Sequence, residues 1–154
     1  MIETPQIIQT TARLTAFIPL KVPISEIKNV MGPTIGEVYS TISAQGIAPA
    51  GPWFTHHLHR PTDVFDFEVS VPVASPVETR GRVKPGEWPA MKMARTVHDG
   101  RYEGLAEAWG EFHAWIAGQG LKVGAGLWEV YLVGPETSAN PADWRTELNL
   151  PVID

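Results

Sequence analysis

Apolar and polar residues alternate along some stretches of the chain and recur every three to four residues along others, which separates predicted strands from predicted helices. In the first half the pattern predicts a strand over residues 11–20, a helix over 24–44, and strands over 51–60 and 64–73. A break or restart of the helix is expected at Gly32-Pro33, because proline is best accommodated in a helix's first turn. The first half is therefore predicted to run strand, helix, strand, strand.

The second half repeats this order. Residues 72–89 hold several turn-forming Pro and Gly dipeptides and predict a linker. After it we predict a strand over 90–96, a helix over 102–118, and strands over 127–133 and 144–152. The helix is amphipathic, and the residues spaced for its buried stripe are Leu105, Trp109, Phe112 and Ile116. Trp109 and Phe112 are accordingly assigned to the core. The acidic residues of the outer face are Glu103, Glu107 and Glu111.

The two halves also share a sequence motif. Residues 36–46 match residues 110–120 at five of eleven positions, and Trp53 and Trp128 follow the two copies. The glycine closing each copy is a plausible helix end, as at Gly46. An internal repeat of this kind predicts two similar units.

These patterns predict one α+β domain over residues 1–154, made of duplicated strand-helix-strand-strand units related by a pseudo-two-fold. Its antiparallel sheets are expected to carry the helices on one side, with a central ligand cleft between the halves. We place repeat one at about 7–73, the linker at about 74–87 and repeat two at about 88–154.

Composition excludes several classes of protein. The chain has no cysteine, so disulfides, thiolate nucleophiles and Cys-ligated zinc are excluded, and a cytoplasmic protein is expected. Twelve basic and seventeen acidic residues give a net charge of −5 without a basic cluster, which argues against nucleic-acid binding. The sequence has neither a secretory signal nor an apolar run of the roughly 20 residues that a membrane span requires.

Glu129 is the candidate for binding chemistry. On a strand it shares one face with Tyr131. Aligning the repeats through their tryptophans places Phe54 opposite Glu129 and His56 opposite Tyr131, so that aromatic edges would surround a single acid. A buried carboxylate needs compensation, which a ligand cation would supply. The alternative is that Glu129 faces water or pairs with a nearby Arg or Lys.

Other chemistries find little support in the sequence. His56-His57-x-His59 offers imidazoles but no third ligand, so no metal is expected. Neither a Gly-x-Ser-x-Gly motif nor a phosphate-binding glycine loop occurs, so no triad hydrolase of that type and no nucleotide cofactor is predicted.

Three segments together resemble the GyrI-like family: residues 100–105 leading to Trp109, residues 127–131, and residues 146–152. This family includes the effector-binding domains of bacterial multidrug-sensing transcription activators. The resemblance covers nearly the whole chain and implies a groove that holds lipophilic, often cationic, aromatic molecules against a central glutamate, here Glu129. Some members that this chain resembles hydrolyse strained cyclopropane-containing genotoxins with a glutamate assisted by a tyrosine. No helix-turn-helix precedes Thr11, so a stand-alone member without direct DNA contact is expected.

The resulting prediction is a small-molecule-binding protein for drug or toxin sensing or sequestration, with Glu129 as anionic anchor. The candidate walls of its site are Tyr131, Tyr102, Phe54, His56 and Trp53. Two alternatives stay open. In a hydrolase, Glu129 would be the general base and Tyr131 a hydrogen-bond donor. In an interaction module, the acidic helix face would dock on a larger protein partner, and a homodimer is another expected arrangement.

Overall fold

The computed structural model describes residues 2–58, 63–135 and 137–153. Its strands are β1 (Gln6–Gln9), β2 (Arg13–Pro23), β3 (Phe54–His57), β4 (Val64–Pro72), β5 (Lys84–Trp88), β6 (Lys92–Asp99), β7 (Lys122–Val123), β8 (Leu127–Val133) and β9 (Arg145–Ile153). Its α-helices are α1 (Ile27–Ala44) and α2 (Leu105–Gly118). A 3-10 turn precedes each helix, over Ile24–Glu26 and Tyr102–Gly104 respectively. None of the helices within the described ranges is long and apolar enough to cross a membrane.

Residues 11–90 form one compact unit, called here the first unit. Its strands pair antiparallel in the order β3-β4-β2-β5. Val38 and Ile42 of α1 are fully buried against Ala16, Ile18 and Val71 of the sheet. The core of this unit therefore lies between α1 and the face of the sheet that carries these three residues.

Residues up to 10 and from 91 onward form the second unit. Its strands pair antiparallel in the order β8-β9-β6-β1, and the two-residue β7 also pairs with β9. Phe112 and Ile116 of α2 are buried against Ala94, Leu148 and Leu150. The second unit thus has its own core between α2 and one face of its sheet.

Both helices end in the same way. Gly46 and Gly120 have φ angles of 70° and 73°, a left-handed conformation that glycine adopts without a steric penalty. Ile47 N–H donates to the Ile42 carbonyl at 2.9 Å, and Leu121 N–H donates to the Ile116 carbonyl at 3.4 Å. These are Schellman ends. The prediction that Gly46 ends the first helix is confirmed.

The α+β fold with antiparallel sheets is confirmed. Each unit runs strand, helix, strand, strand, through β2, α1, β3 and β4 in the first and through β6, α2, β8 and β9 in the second. The pseudo-two-fold relation between the units stays a prediction, as do the repeat boundaries.

Strand β5 lies largely within the segment predicted as linker. Pro85 is tolerated because, among the described residues, β5 pairs only with β2, so that its other edge needs no backbone donor. Gly86 is needed because a Cβ there would lie 2.7 Å from the Phe17 ring. Pro85 thus lies in a strand at the edge of the sheet, and Gly86 allows the Phe17 ring to approach the backbone. In the sequence alone, the same two residues indicate a turn.

The predicted helix break at Gly32-Pro33 is also not observed. Helix α1 is continuous and contains Pro33 in its interior. Proline removes one backbone hydrogen bond there, and the burial of Val38 and Ile42 after it outweighs that loss. The predicted first-half strand to residue 60 and the turn after it extend into residues 59–62, which lie outside the described residues.

Candidate functional site

The pairing of β8 with β9 determines which way the candidate site residues of the second unit point. Glu129 lies opposite Leu148 of β9, and Tyr131 lies opposite Thr146. Cross-strand partners share a face of the sheet, and Leu148 packs in the core beneath α2. Glu129 and Tyr131 therefore both point to the α2 side, as the alternation along the strand predicts.

Two neutral donors hold the Glu129 carboxylate. The Trp109 indole Nε1–H donates to Glu129 Oε2 at 2.7 Å, and the Tyr131 hydroxyl donates to Oε1 at 2.8 Å. Indole can only donate a hydrogen bond, so the oxygen that it meets must accept. With each oxygen accepting one bond, the arrangement suits an anionic carboxylate of fixed orientation.

A series of aromatic contacts extends from the two side chains that hold this carboxylate. The Tyr102 ring lies edge-on to Tyr131, with centroids 6.1 Å apart, and packs against Trp144 at 4.9 Å. Trp109 also packs on Phe112 of the core at 6.0 Å. The structure thus brings together three predicted site residues, Glu129, Tyr131 and Tyr102.

No cationic side chain of the described residues forms an ion pair with Glu129. The ion pairs of these residues involve other carboxylates, among them Arg95 with Glu147 and Arg145 with Asp99. Glu129 is only partly exposed, so its charge is offset by two neutral hydrogen bonds and by partial contact with water. The alternative in which Glu129 pairs with a nearby Arg or Lys finds no support among the described residues.

Trp109 and Trp144 contact predicted site residues, Glu129 and Tyr102 respectively, although the sequence did not place them at the site. Trp109 does pack against the core, as its helical spacing predicts, but its indole N–H reaches Glu129. A signal existed, because a tryptophan N–H that is taken out of water usually requires an acceptor. Which acceptor it meets depends on the packing of α2 on β8, and a single helix pattern does not contain that information.

The other predicted walls lie in the first unit. Phe54 is buried and packs against Trp88 with ring centroids 4.9 Å apart. His56 Nδ1 lies 3.0 Å from Glu68 Oε1. Trp53 packs, partly buried, against the core that contains α1.

The register of β3 corrects the alignment of the repeats by one residue. Phe54 pairs with Ser70, whereas Thr55 pairs with Val69, whose other partner Ile18 is in the core beneath α1. Thr55 therefore faces α1, as Glu129 faces α2, and Phe54 is on the opposite face of its strand. The alignment through the tryptophans was wrong because Trp128 lies within β8 while Trp53 precedes β3. Ligand contact by Phe54 and His56 stays a prediction.

Across the ranges that the structure describes, no group of three His, Asp or Glu side chains is arranged to hold a metal ion. His59, part of the histidine cluster considered above, lies outside those ranges.

Comparison with known proteins gives one family. A family model described as GyrI-like small molecule binding domain matches residues 3–153. No curated protein sequence matches the chain.

Solved structures share the fold. The C-terminal domain of EcmrR matches over 98% of each chain, with a TM-score of 0.88 and 20% identity. The chain spans 57% of the longer EcmrR chain in an EcmrR–DNA complex. A hydrolase from Listeria innocua has a TM-score of 0.67 and 16% identity, covering 97% of this chain and 91% of its own. SAV2435 bound to tetraphenylphosphonium has a TM-score of 0.65 and 13% identity, covering 98% and 94% respectively.

Proposed function

Because the chain belongs to the GyrI-like small-molecule-binding family, we propose that it binds lipophilic aromatic cations, with Glu129 as the anionic anchor. One observation carries the proposal. A partly buried carboxylate is fixed by two neutral aromatic donors, Trp109 and Tyr131, and has no cationic partner among the described residues.

The energetics favour a cationic ligand. Removing a carboxylate from water costs several kcal/mol unless an opposite charge or hydrogen bonds compensate it. The two hydrogen bonds and the partial contact with water supply part of that compensation, and a ligand cation that displaces this water would supply the rest. Each aromatic face would add about 0.5 to 2 kcal/mol of cation–π attraction where it is desolvated. A flat or propeller-shaped aromatic cation satisfies both requirements.

The proposed walls in the second unit are Tyr131, Tyr102, Trp109 and Trp144. In the first unit, Phe54, His56 and Trp53 stay proposed as ligand contacts. SAV2435, which shares this fold, has been seen with tetraphenylphosphonium, and this supports the same ligand class for this chain.

Thermal unfolding tests the proposal. Tetraphenylphosphonium at a hundred times its dissociation constant is expected to stabilise the protein by about 2.7 kcal/mol, because a ligand that binds only the folded state shifts the unfolding equilibrium. Tetraphenylborate, an anion of nearly the same shape, is the matched control and should stabilise much less. Equal shifts with the two ions, or no shift with the cation, would contradict the proposal.

A hydrolase is the second candidate, because a hydrolase shares the fold and because Glu129 contacts a tyrosine directly. In that reaction Glu129 would take a proton from water as the water oxygen bonds to a cyclopropane carbon and the strained C–C bond breaks. Tyr131 would donate a hydrogen bond to the part of the ring that takes up the electron pair, and Glu129 would return its proton there. In this structure the Tyr131 proton is directed at Glu129 itself. The geometry therefore fits binding better than turnover.

We expect an electrophilic cyclopropane-bearing compound that binds this protein to remain intact during long incubation. Mass spectrometry would detect the ring-opened water adduct, whose mass exceeds that of the compound by one water. Accumulation of this adduct with wild-type protein, and its loss with Glu129→Gln, would establish the hydrolase instead.

We place the protein in the cytoplasm, in line with its lack of cysteine. A net charge of −5 without a basic cluster supports a role without direct nucleic-acid contact. Any signal from the bound ligand would then pass to a separate protein partner or to a second copy of the chain.

A further inference from the structure

Two buried polar atoms beside Tyr131 have no hydrogen-bond partner among the described residues. They are His98 Nδ1 and Thr146 Oγ1. His98 is 4% exposed and Thr146 is fully buried. A buried polar atom without a partner costs about 1 to 3 kcal/mol, so two such atoms at one place call for an explanation.

The two atoms belong to one row of the sheet. His98 on β6 lies opposite Thr146 on β9, and Thr146 lies opposite Tyr131 on β8. Directly paired residues have Cβ atoms about 4.5 to 5.5 Å apart on the same face. The row therefore continues the Glu129 site past Tyr131, on the α2 side of the sheet.

The hydrogen bonding of His98 fixes the role of each atom. His98 Nε2 lies 2.9 Å from the Arg101 carbonyl, which can only accept, so Nε2 carries a proton. In a neutral ring Nδ1 is then an acceptor. The Thr146 hydroxyl can donate and accept. The pair thus offers one acceptor and one donor to a group placed between them.

The turn that carries Tyr102 covers this pair. Gly104 lies so close to the His98 ring that a Cβ on it would be 2.9 Å from Cε1. The Arg101 carbonyl accepts from both His98 and the Gly104 N–H, at 2.9 and 3.1 Å.

We propose that His98 and Thr146 form a hydroxyl-binding point, so that the site prefers aromatic cations that carry a hydroxyl group. The inference rests on the proposed function. The hydroxyl would donate to His98 Nδ1 and accept from the Thr146 hydroxyl, which satisfies both atoms at once. The cost of these unpaired atoms is already present in the free protein, and only a ligand with such a group recovers it.

Two probes that differ by one oxygen test this preference. They are tetraphenylphosphonium and its analogue with one 4-hydroxyphenyl ring, titrated calorimetrically near neutral pH, where the phenol stays protonated. The wild-type protein is expected to bind the hydroxylated probe about five- to tenfold more tightly. The His98 Nδ1 resonance in nitrogen NMR should shift with that probe and not with the other.

The variants separate this role from a structural one. Thr146→Val keeps the side-chain shape and should abolish the preference while leaving the affinity for tetraphenylphosphonium unchanged. Thr146→Ser retains the hydroxyl and should retain the preference. His98→Gln keeps an amide N–H that can donate to the Arg101 carbonyl but removes the ring acceptor Nδ1, so this variant should also lose the preference. It tests the inference independently in case Thr146→Val does not fold.

Equal wild-type affinities for the two probes would overturn the inference and leave the proposed function intact. A Thr146→Val variant that lowers the affinity for both probes equally would also overturn the inference. If neither probe binds the wild-type protein, the proposed function fails, and this inference fails with it.

Discussion

Glu129→Gln is expected to weaken tetraphenylphosphonium binding by about tenfold to a hundredfold, the equivalent of roughly 1.5 to 3 kcal/mol for a contact with a charged group. The substitution removes the negative charge and keeps the shape of the side chain. Titration calorimetry at low salt would measure the loss, since salt screens the attraction of a partly exposed charge.

The fold should tolerate this substitution. The Trp109 N–H can only donate, so the amide oxygen of Gln must face it. The Tyr131 hydroxyl, which now donates to the carboxylate, would rotate and accept from the amide N–H. Glu107→Gln on the exposed face of α2 is the matched control, because it removes the same charge at a solvated position. An equal loss of affinity in both variants would show that only overall charge matters.

Trp109→Phe is expected to destabilise the fold by about 1 to 2 kcal/mol beyond the cost of the smaller ring. The ring contact with Phe112 is largely kept, but Glu129 loses the indole donor at 2.7 Å while still only partly exposed. Denaturant unfolding would measure the loss of stability.

Trp115→Phe provides the control for ring size. Trp115 is on the same helix and packs against the same core, so the substitution removes the same atoms without a bond to Glu129. The extra cost of Trp109→Phe should shrink in a Glu129→Ala background, where the acceptor is absent. Equal destabilisation by the two tryptophan substitutions would mean that the indole–carboxylate bond contributes nothing.

Much of the fold could be predicted because its signals are local. The alternation in Val64–Pro72 and the apolar run in Leu127–Val133 predict strands, and Gly46 marks the end of α1 through a backbone angle that favours glycine. Glu129 and Tyr131 share a face for the same local reason, since side chains on a strand alternate with a period of two.

The rest of the site depends on how elements pack, which no local pattern contains. Trp109 has the spacing of a core residue, and only the placement of α2 over β8 shows that its N–H meets Glu129. Aligning the repeats by their tryptophans placed Phe54 where Thr55 belongs, because a shift of one residue reverses the face of a strand. In β5, Pro85 and Gly86 led the sequence pattern to predict a linker where the structure has an edge strand.

We propose that the charge of Glu129 selects a cationic ligand. A cycle of four titrations tests this selection most directly. Wild-type protein and Glu129→Gln are each titrated with tetraphenylphosphonium and with tetraphenylborate, two ions of nearly the same shape and opposite charge. We expect the wild-type protein to bind the cation at least about tenfold more tightly than the anion. Glu129→Gln should remove most of that preference, because it weakens binding of the cation and strengthens binding of the anion. The same ratio of affinities in both proteins would contradict it.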